Sequence, residues 1–300
     1  MNIKILVCCH KNDVKVTNDP FFPIHVGKDL HPDLNLGIQT DNSGDNISRK
    51  NDCYCELTGL YWAWKNLKQV DIIGLSHYRR YFDFHNQCAK GKVFTSFPSS
   101  QIDRLNFTLP KNIIAQVNKG KIVTPRNRVC STTVYYDYCE SHISDDIKAL
   151  RYVINKTQPE NIKKSFFKVF MQGNKILHYN MFIMKWSDFD LYCTWLFDIL
   201  EKVESVTDIT HYNSFQKRIY GYMSERLFLV WLIANNKDTI EKPIIWINDN
   251  KSMTEKTGYL RYKIRTIVNC VANWLSRPKT YCEEDMNNPN PYYIKKHAQN

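Results

Sequence analysis

Residues 71–82 read DIIGLSHYRRYF. A small, apolar, β-rich run (71–76) stops abruptly at His77, Tyr78, Arg79 and Arg80, followed by two more aromatics. An apolar run bounded by charge predicts a buried strand. Its ending poses the functional question. Two adjacent guanidinium groups either pair with carboxylates on a solvated edge or hold something anionic.

Upstream, NDCYCELTGLYWAWKNLK (51–68) places Leu57, Leu60, Tyr61, Trp64 and Leu67 at helical spacing, with Asn51 or Asp52 available as N-cap. Residues 17–50 are rich in Pro, Asp, Asn and Gly, which is loop chemistry long enough to suggest function. Before them, IKILVCC (3–9) predicts a buried strand that empties into His10 and Lys11. Strand, helix, strand implies a parallel α/β unit, and ligands of such units gather at the carboxyl ends of the strands. His10–Lys11 and His77–Arg80 are therefore expected to face one crevice. That favours the anion-binding reading of the arginines, which stay charged and fork onto phosphate oxygens.

Downstream, KNIIAQVN (111–118) reads as a helix, KIVTP (121–125) as a strand and 138–172 as polar helical sequence. ILHYNMFIMK (176–185) reads as a core strand with Asn180 in its middle, a polar group that needs a partner from backbone or ligand. A helix with a Ser187 cap covers 187–203, and an apolar helix covers 221–235, interrupted by Glu225–Arg226. Burial there would raise the Glu225 carboxyl and suit it to general-base work; the plainer reading is a structural salt bridge. TDNSGDNIS (40–48) offers Asp41, Asp45 and Asn46 to a base or ribose, although composition alone favours a loop held by its own Asx and Ser side chains. The single Asp-x-Asp, Asp188–Asp190, falls in the first turn of a predicted helix, where the helix dipole favours acids anyway.

The chain has 300 residues, 43% hydrophobic and 24% charged, which are globular values. A net charge of +11 implies anionic company: phosphorylated small molecules, nucleic acid or an anionic membrane surface. The ten cysteines include no C-x-x-C, against zinc-ribbon and thioredoxin-type sites. The apolar run near Met1 is too short for a signal peptide, and nothing approaches a membrane span, so a reducing cytoplasm is the expected location. YLRYKIRTIVNCVANWLSRPK (259–279) predicts a basic amphipathic helix with Arg261, Lys263, Arg265, Trp274 and Arg277 placed to meet an anionic bilayer surface; a helix docked on the core would look similar. The expected organisation is a catalytic domain over 1–250, a helical basic extension over 251–285 and a disordered tail over 286–300.

LGIQTDNSGDNISRKNDCYCELTGLYWAWKN, IGLSHYRRYF, YNMFIMKWSDFDLYCTWLFDIL and RIYGYMSERLFLVWL resemble successive blocks of bacterial capsular and exopolysaccharide biosynthesis proteins, the DUF4422 group. The resemblance spans about residues 3–247 in the same order. It implies a nucleotide-sugar glycosyltransferase with a GT-A-like α/β fold: a mainly parallel sheet flanked by helices, with a helical C-terminal extension. Some relatives are associated with galactofuranose transfer from its UDP donor.

Carried onto this sequence, the resemblance puts His10 and Lys11 near the nucleotide. His77, Tyr78, Arg79 and Arg80 occupy the chain position where GT-A enzymes keep a D-x-D. Asn180 and Arg226 are placed by the donor, and Glu225 where an inverting enzyme keeps its base. Because no strand-end D-x-D is present, the arginines would replace a metal's charge, or His77 and a nearby carboxylate would hold a Mn or Mg ion. The expected protein sits peripherally on the inner face of the bacterial plasma membrane and transfers galactofuranose or galactose from a UDP-sugar to a lipid-linked saccharide. A non-catalytic membrane-associated scaffold and a nucleic-acid-binding protein are the alternatives. The latter lacks any nucleic-acid motif, and its basic residues cluster at strand ends and the C-terminal helix, not along one stripe.

Overall fold

The computed structural model describes residues 1–249 and 259–277. At its centre β1 (Ile3–Cys9) runs parallel to β2 (Phe21–His25) on one side and β4 (Ile72–His77) on the other, with Cys8 opposite His77 and Cys9 opposite His25. β3 (Gln39–Thr40) continues the sheet beyond β2, also in parallel. Beyond β4 comes β10 (Phe182–Lys185), antiparallel to both β4 and β7 (Ile122–Pro125), and then β11 (Thr239–Lys242), parallel to β7. β5 (Arg80–Phe82) turns back from β4, pairing His77 with Arg80, and is extended by β12 (Ile244–Ile247) and β6 (Phe94–Phe97). β8 (Arg128–Val129) and β9 (Lys175–Ile176) form a separate antiparallel pair. The sheet is thus mixed but mainly parallel, and helices flank it.

The buried stretches Ile5–Cys9 of β1 and Ile72–Leu75 of β4 are apolar because both sheet faces are covered. Alternate residues serve opposite cores. Leu6, Cys8, Ile73 and Leu75 pack toward α2 (Leu57–Asn66), α5 (Ser144–Thr157), α7 (Trp186–Val206) and α8 (Ile219–Ala234). Ile5, Val7, Cys9 and Ile72 pack toward Phe21, Tyr81, Phe107 and α3 (Lys111–Asn118). Three shorter helices, α1 (Asn51–Tyr54), α4 (Val134–Ser141) and α6 (Glu160–Phe166), complete the main body, and α9 (Tyr259–Ser276) lies against β8.

Three local expectations change. The helix foreseen over 51–68 is two helices broken at Cys55, whose φ of 53° is unusual for a residue with a side chain. Asn51 caps nothing; its amide donates across the break to the Cys55 carbonyl and Thr58 Oγ1. Likewise α7 begins at Trp186 with no side-chain cap, so Ser187 lies inside it. Asn180 is not mid-strand. A tight turn, His178–Asn180, interrupts the run, with Tyr179 at φ 76° and Asn180 at φ 52°. The expected boundary at 250–251 and the tail over 286–300 lie outside the described residues.

Candidate functional site

β1 and β4 end side by side, and their continuations bring together the basic residues singled out from the sequence. On the β1 side the Tyr78 ring is the common floor. His10 meets it edge-on at 5.3 Å, and the Lys11 and Arg79 charges stand over it at 5.9 and 5.6 Å. Asp13 takes up part of this charge, pairing with Arg79 at 2.7 Å and Lys11 at 3.7 Å. His10 lies below the usual imidazole value because the protein partly desolvates its ring, with Lys11, Arg218 and His77 adding positive potential.

Arg80 differs from its neighbour. Its guanidinium stacks over Tyr179 at 4.5 Å and Trp246 at 5.5 Å, and no carboxylate among the described residues pairs with it. Aromatic faces hold the cation in place without neutralising it. His77 is buried and donates from Nε2 to the Tyr179 carbonyl at 2.6 Å. Burial is the main cause holding His77 below its ordinary pKa, and Arg80 adds to it, while Glu56 and Glu225 pull the other way. Arg218 enters the same corner from the start of α8, its Nε meeting Cys55 Sγ at 3.3 Å.

The 178–180 turn is held from several sides. Glu225 Oε1 accepts the Tyr179 backbone N–H at 2.8 Å, and Oε2 lies 3.7 Å from His178 Nδ1. Asn180, buried, donates to Glu56 Oε1 at 2.8 Å and to the Gly221 carbonyl at 3.3 Å, and its Oδ1 accepts from Ser224 at 2.9 Å. Left-handed backbone in two consecutive non-glycine residues is costly and persists only when its surroundings fix it. These bonds supply that fixing.

This geometry gives Glu225 a different task from the general base expected of it. Burial alone would raise its carboxyl, but the hydrogen bond and charge of His178, with Arg226 and the Tyr179 N–H, bring it down to about 2. A carboxylate that weakly basic is a poor proton acceptor at neutral pH. Arg226 also departs from expectation. It turns away from the corner, donating to the Tyr222 carbonyl, pairing with Asp137 of α4 at 3.3 Å and standing over Tyr138.

The loop residues are likewise placed elsewhere. Asp41 is fully buried and accepts from Gly27 N, Lys28 N, Ser48 Oγ and Thr58 Oγ1 at 2.5–3.2 Å, so its carboxylate is spent on holding the loop. At the far end of α2 Asn66 donates to the Asp45 backbone carbonyl and Tyr61 to the Asp45 carboxylate, and Asn46 bonds within its own loop. Asp41 follows the carboxyl end of β3, but its carboxylate is turned into its own loop, and Asp45 and Asn46 lie beyond it toward α2.

Among the described residues no three His, Cys, Asp or Glu side chains are grouped to hold a metal ion. The Asp-x-Asp does not fit one either: Asp188 pairs with Lys237 at 2.7 Å and Asp190 accepts from Trp64 Nε1. Sequence reasoning missed Glu56, Tyr179, Arg218 and Trp246. The first lies in a stretch that reads as continuous helix, and the others join the corner only through tertiary contacts.

α9 is inverted relative to an ordinary surface helix. Asn269 and Asn273 point inward, bonding Val129 O and Gln172 O, and Asn174 returns a bond to Asn269 O. Leu260, Ile264, Ile267, Val268, Val271 and Leu275, on the opposite stripe, are each more than half exposed, as is Trp274. Arg261, Lys263 and Arg265 are exposed beside this stripe, while Arg277 is half-buried. No described helix is long and apolar enough to cross a membrane.

A family profile described as "Domain of unknown function (DUF4422)" matches residues 4–237. Among solved structures the chain is similar to the apo structure of WbbM, a bifunctional glycosyltransferase, at 28% identity and a TM-score of 0.73. The match covers 83% of this chain and 46% of that one, so this chain spans about half of its structural relative. No curated protein matches.

Proposed function

The chain belongs to the DUF4422 family, and on that premise we propose that it is a glycosyltransferase of the nucleotide-sugar type. Its donor is a UDP-sugar, with galactofuranose or galactose the favoured sugars. Its acceptor is a hydroxyl of a lipid-linked saccharide in capsule, exopolysaccharide or O-antigen assembly, and the outcome is inversion at the anomeric carbon. Arg80 carries this reading: a cation held over two aromatic rings at the strand ends, with no carboxylate partner among the described residues. The likeness to a bifunctional glycosyltransferase supports it.

In this mechanism the acceptor oxygen forms a bond to the anomeric carbon as the bond from that carbon to the diphosphate breaks. The electron pair leaves with UDP, and the growing negative charge is the largest electrostatic demand of the step. Arg80 supplies a fixed positive charge there and His77 frames it. Arg79 and Lys11, already shared with Asp13, contribute less. The engagement of Asp188 by Lys237 and of Asp190 by Trp64 supports a site in which side chains replace a divalent ion. The exposed stripe of α9, flanked by basic residues, brings the site to an anionic inner-membrane surface where a lipid-linked acceptor lies.

A thermal-shift screen against UDP-, GDP-, dTDP- and CMP-sugars, with Mn²⁺ or EDTA, tests the donor class. Stabilisation by UDP-sugars in EDTA is expected. Arg80→Ala should weaken UDP binding at least about tenfold, more than Arg79→Ala, since charge-assisted bonds contribute roughly 1.5–3 kcal/mol. Unchanged UDP affinity in Arg80→Ala, or no nucleotide-sugar binding at all, removes the reading and favours the non-catalytic scaffold.

A further inference from the structure

We infer that Glu56, at the break between α1 and α2, is the carboxylate that receives the acceptor's proton. The inference rests on the glycosyl-transfer reading above. Its starting point is the break itself. α1 stops at Tyr54, Cys55 takes φ 53° and ψ −133°, and Glu56 opens the next helix. The Glu56 carbonyl is 3.8 Å from Cys8 Sγ, near the carboxyl end of β1. Without the break the helix would carry residue 56 onward along its axis; with it, Glu56 meets Asn180 across the strand ends. The approach of α8 to this point is close. A methyl at Gly221 would lie 3.0 Å from Cys55 Sγ.

The state of the carboxylate is the second argument. Oε1 accepts from Asn180 Nδ2, whose orientation Ser224 and Gly221 fix in turn. No other hydrogen bond or ion pair among the described residues reaches the Glu56 side chain, and it is only half-buried. It is therefore oriented through one oxygen and open at the other. A positioned general base needs that combination.

Its surroundings are the third. Glu56 acts electrostatically on His77, one of the groups proposed to hold the diphosphate, and on Arg218, which enters the same corner. The other carboxylates near the strand ends are committed: Glu225 to the 178–180 turn, Asp13 to Arg79 and Lys11, Asp41 to its loop. In the step, the acceptor O–H bond breaks as the oxygen bonds the anomeric carbon. The proton passes to the open Glu56 oxygen and the electron pair of the cleaved bond leaves with UDP.

The test compares wild type with Glu56→Gln and Glu56→Ala, using UDP-galactose and UDP-galactofuranose as donors and a lipid-tailed galactoside as acceptor. Glu56→Gln keeps an acceptor atom for Asn180. It should leave UDP-sugar Kd within about threefold while lowering kcat at least about 100-fold, the scale of general-base catalysis. The acid limb of the pH–rate profile should vanish, and formate should restore part of the rate of Glu56→Ala, which a merely structural role would not allow. Glu56→Gln activity within threefold of wild type, a parallel loss of donor binding, or failure of formate to rescue overturns the assignment. Wild type that neither binds nor turns over either donor would instead defeat the glycosyl-transfer reading, and this inference with it.

Discussion

Glu225 shows how the neighbours of a carboxylate decide its use. From the sequence it is an acid in a greasy helix, and burial would make it basic. In the folded chain a backbone N–H and His178 reach it first, and it is held at about 2. A depressed carboxyl contributes stability that is fully present above its unfolded value, near 4.5, and is lost as pH falls toward 2. With the side chain 17% exposed, the shift corresponds to roughly 3 kcal/mol. Glu225→Gln should therefore unfold at lower denaturant than wild type at pH 7, with the gap closing between pH 4.5 and pH 2. An equal gap at pH 7 and pH 2.5 in chemical denaturation would show that the carboxylate's charge is not what secures the turn.

At the scale of elements, β4 is the hinge between packing and chemistry. Gly74 sits at its centre because β10 crosses there too closely for a side chain. A methyl would lie 2.9 Å from Ile183 Cγ1 and 3.0 Å from the Phe182 carbonyl. The side chain can shift, but the backbone oxygen is tied into the β4–β10 ladder. Gly74→Ala is expected to cost about 1–3 kcal/mol, the usual penalty of overpacking, read as a lower denaturation midpoint. Destabilisation below about 0.5 kcal/mol would mean that β10 yields.

The same strand was legible in the sequence, as were β1, α3, α7 and α8, because each carries a sustained apolar period bounded by polar residues. The meeting of His10–Lys11 with His77–Arg80 was legible too, since a parallel strand pair puts both endings on one edge. Neither the break at Cys55 nor the turn at Tyr179–Asn180 was. Both put side-chain-bearing residues into left-handed backbone with no glycine to announce it, and both are stabilised by partners distant in sequence. Asp41, Asp45 and Asn46 were ambiguous for the complementary reason, and in the folded chain each is engaged by its own loop or by α2. Residues able to grip a ribose are equally able to grip their own loop.

For the whole molecule the decisive asymmetry is α9, a helix attached by its polar side with its apolar stripe turned outward. Asparagine-to-carbonyl bonds hold it to the segment between α6 and β9 and to β8, so the outward residues are not needed for attachment. An apolar stripe this exposed is costly in water and calls for an occupant. On the membrane-surface proposal, the basic residues alongside it and the net charge of +11 predict an anionic lipid surface over a neutral one. Ile264→Glu together with Ile267→Glu puts negative charge in mid-stripe, where both residues are more than half exposed. Thermal stability should stay within about 0.5 kcal/mol of wild type, as for surface substitutions. Flotation with phosphatidylglycerol vesicles should be lost in the variant, and in wild type should weaken with salt as exposed charges are screened. Wild type that ignores these vesicles, or binds neutral phosphatidylcholine as well, would assign the stripe to a different occupant and detach the proposed lipid-linked acceptor from this face of the protein.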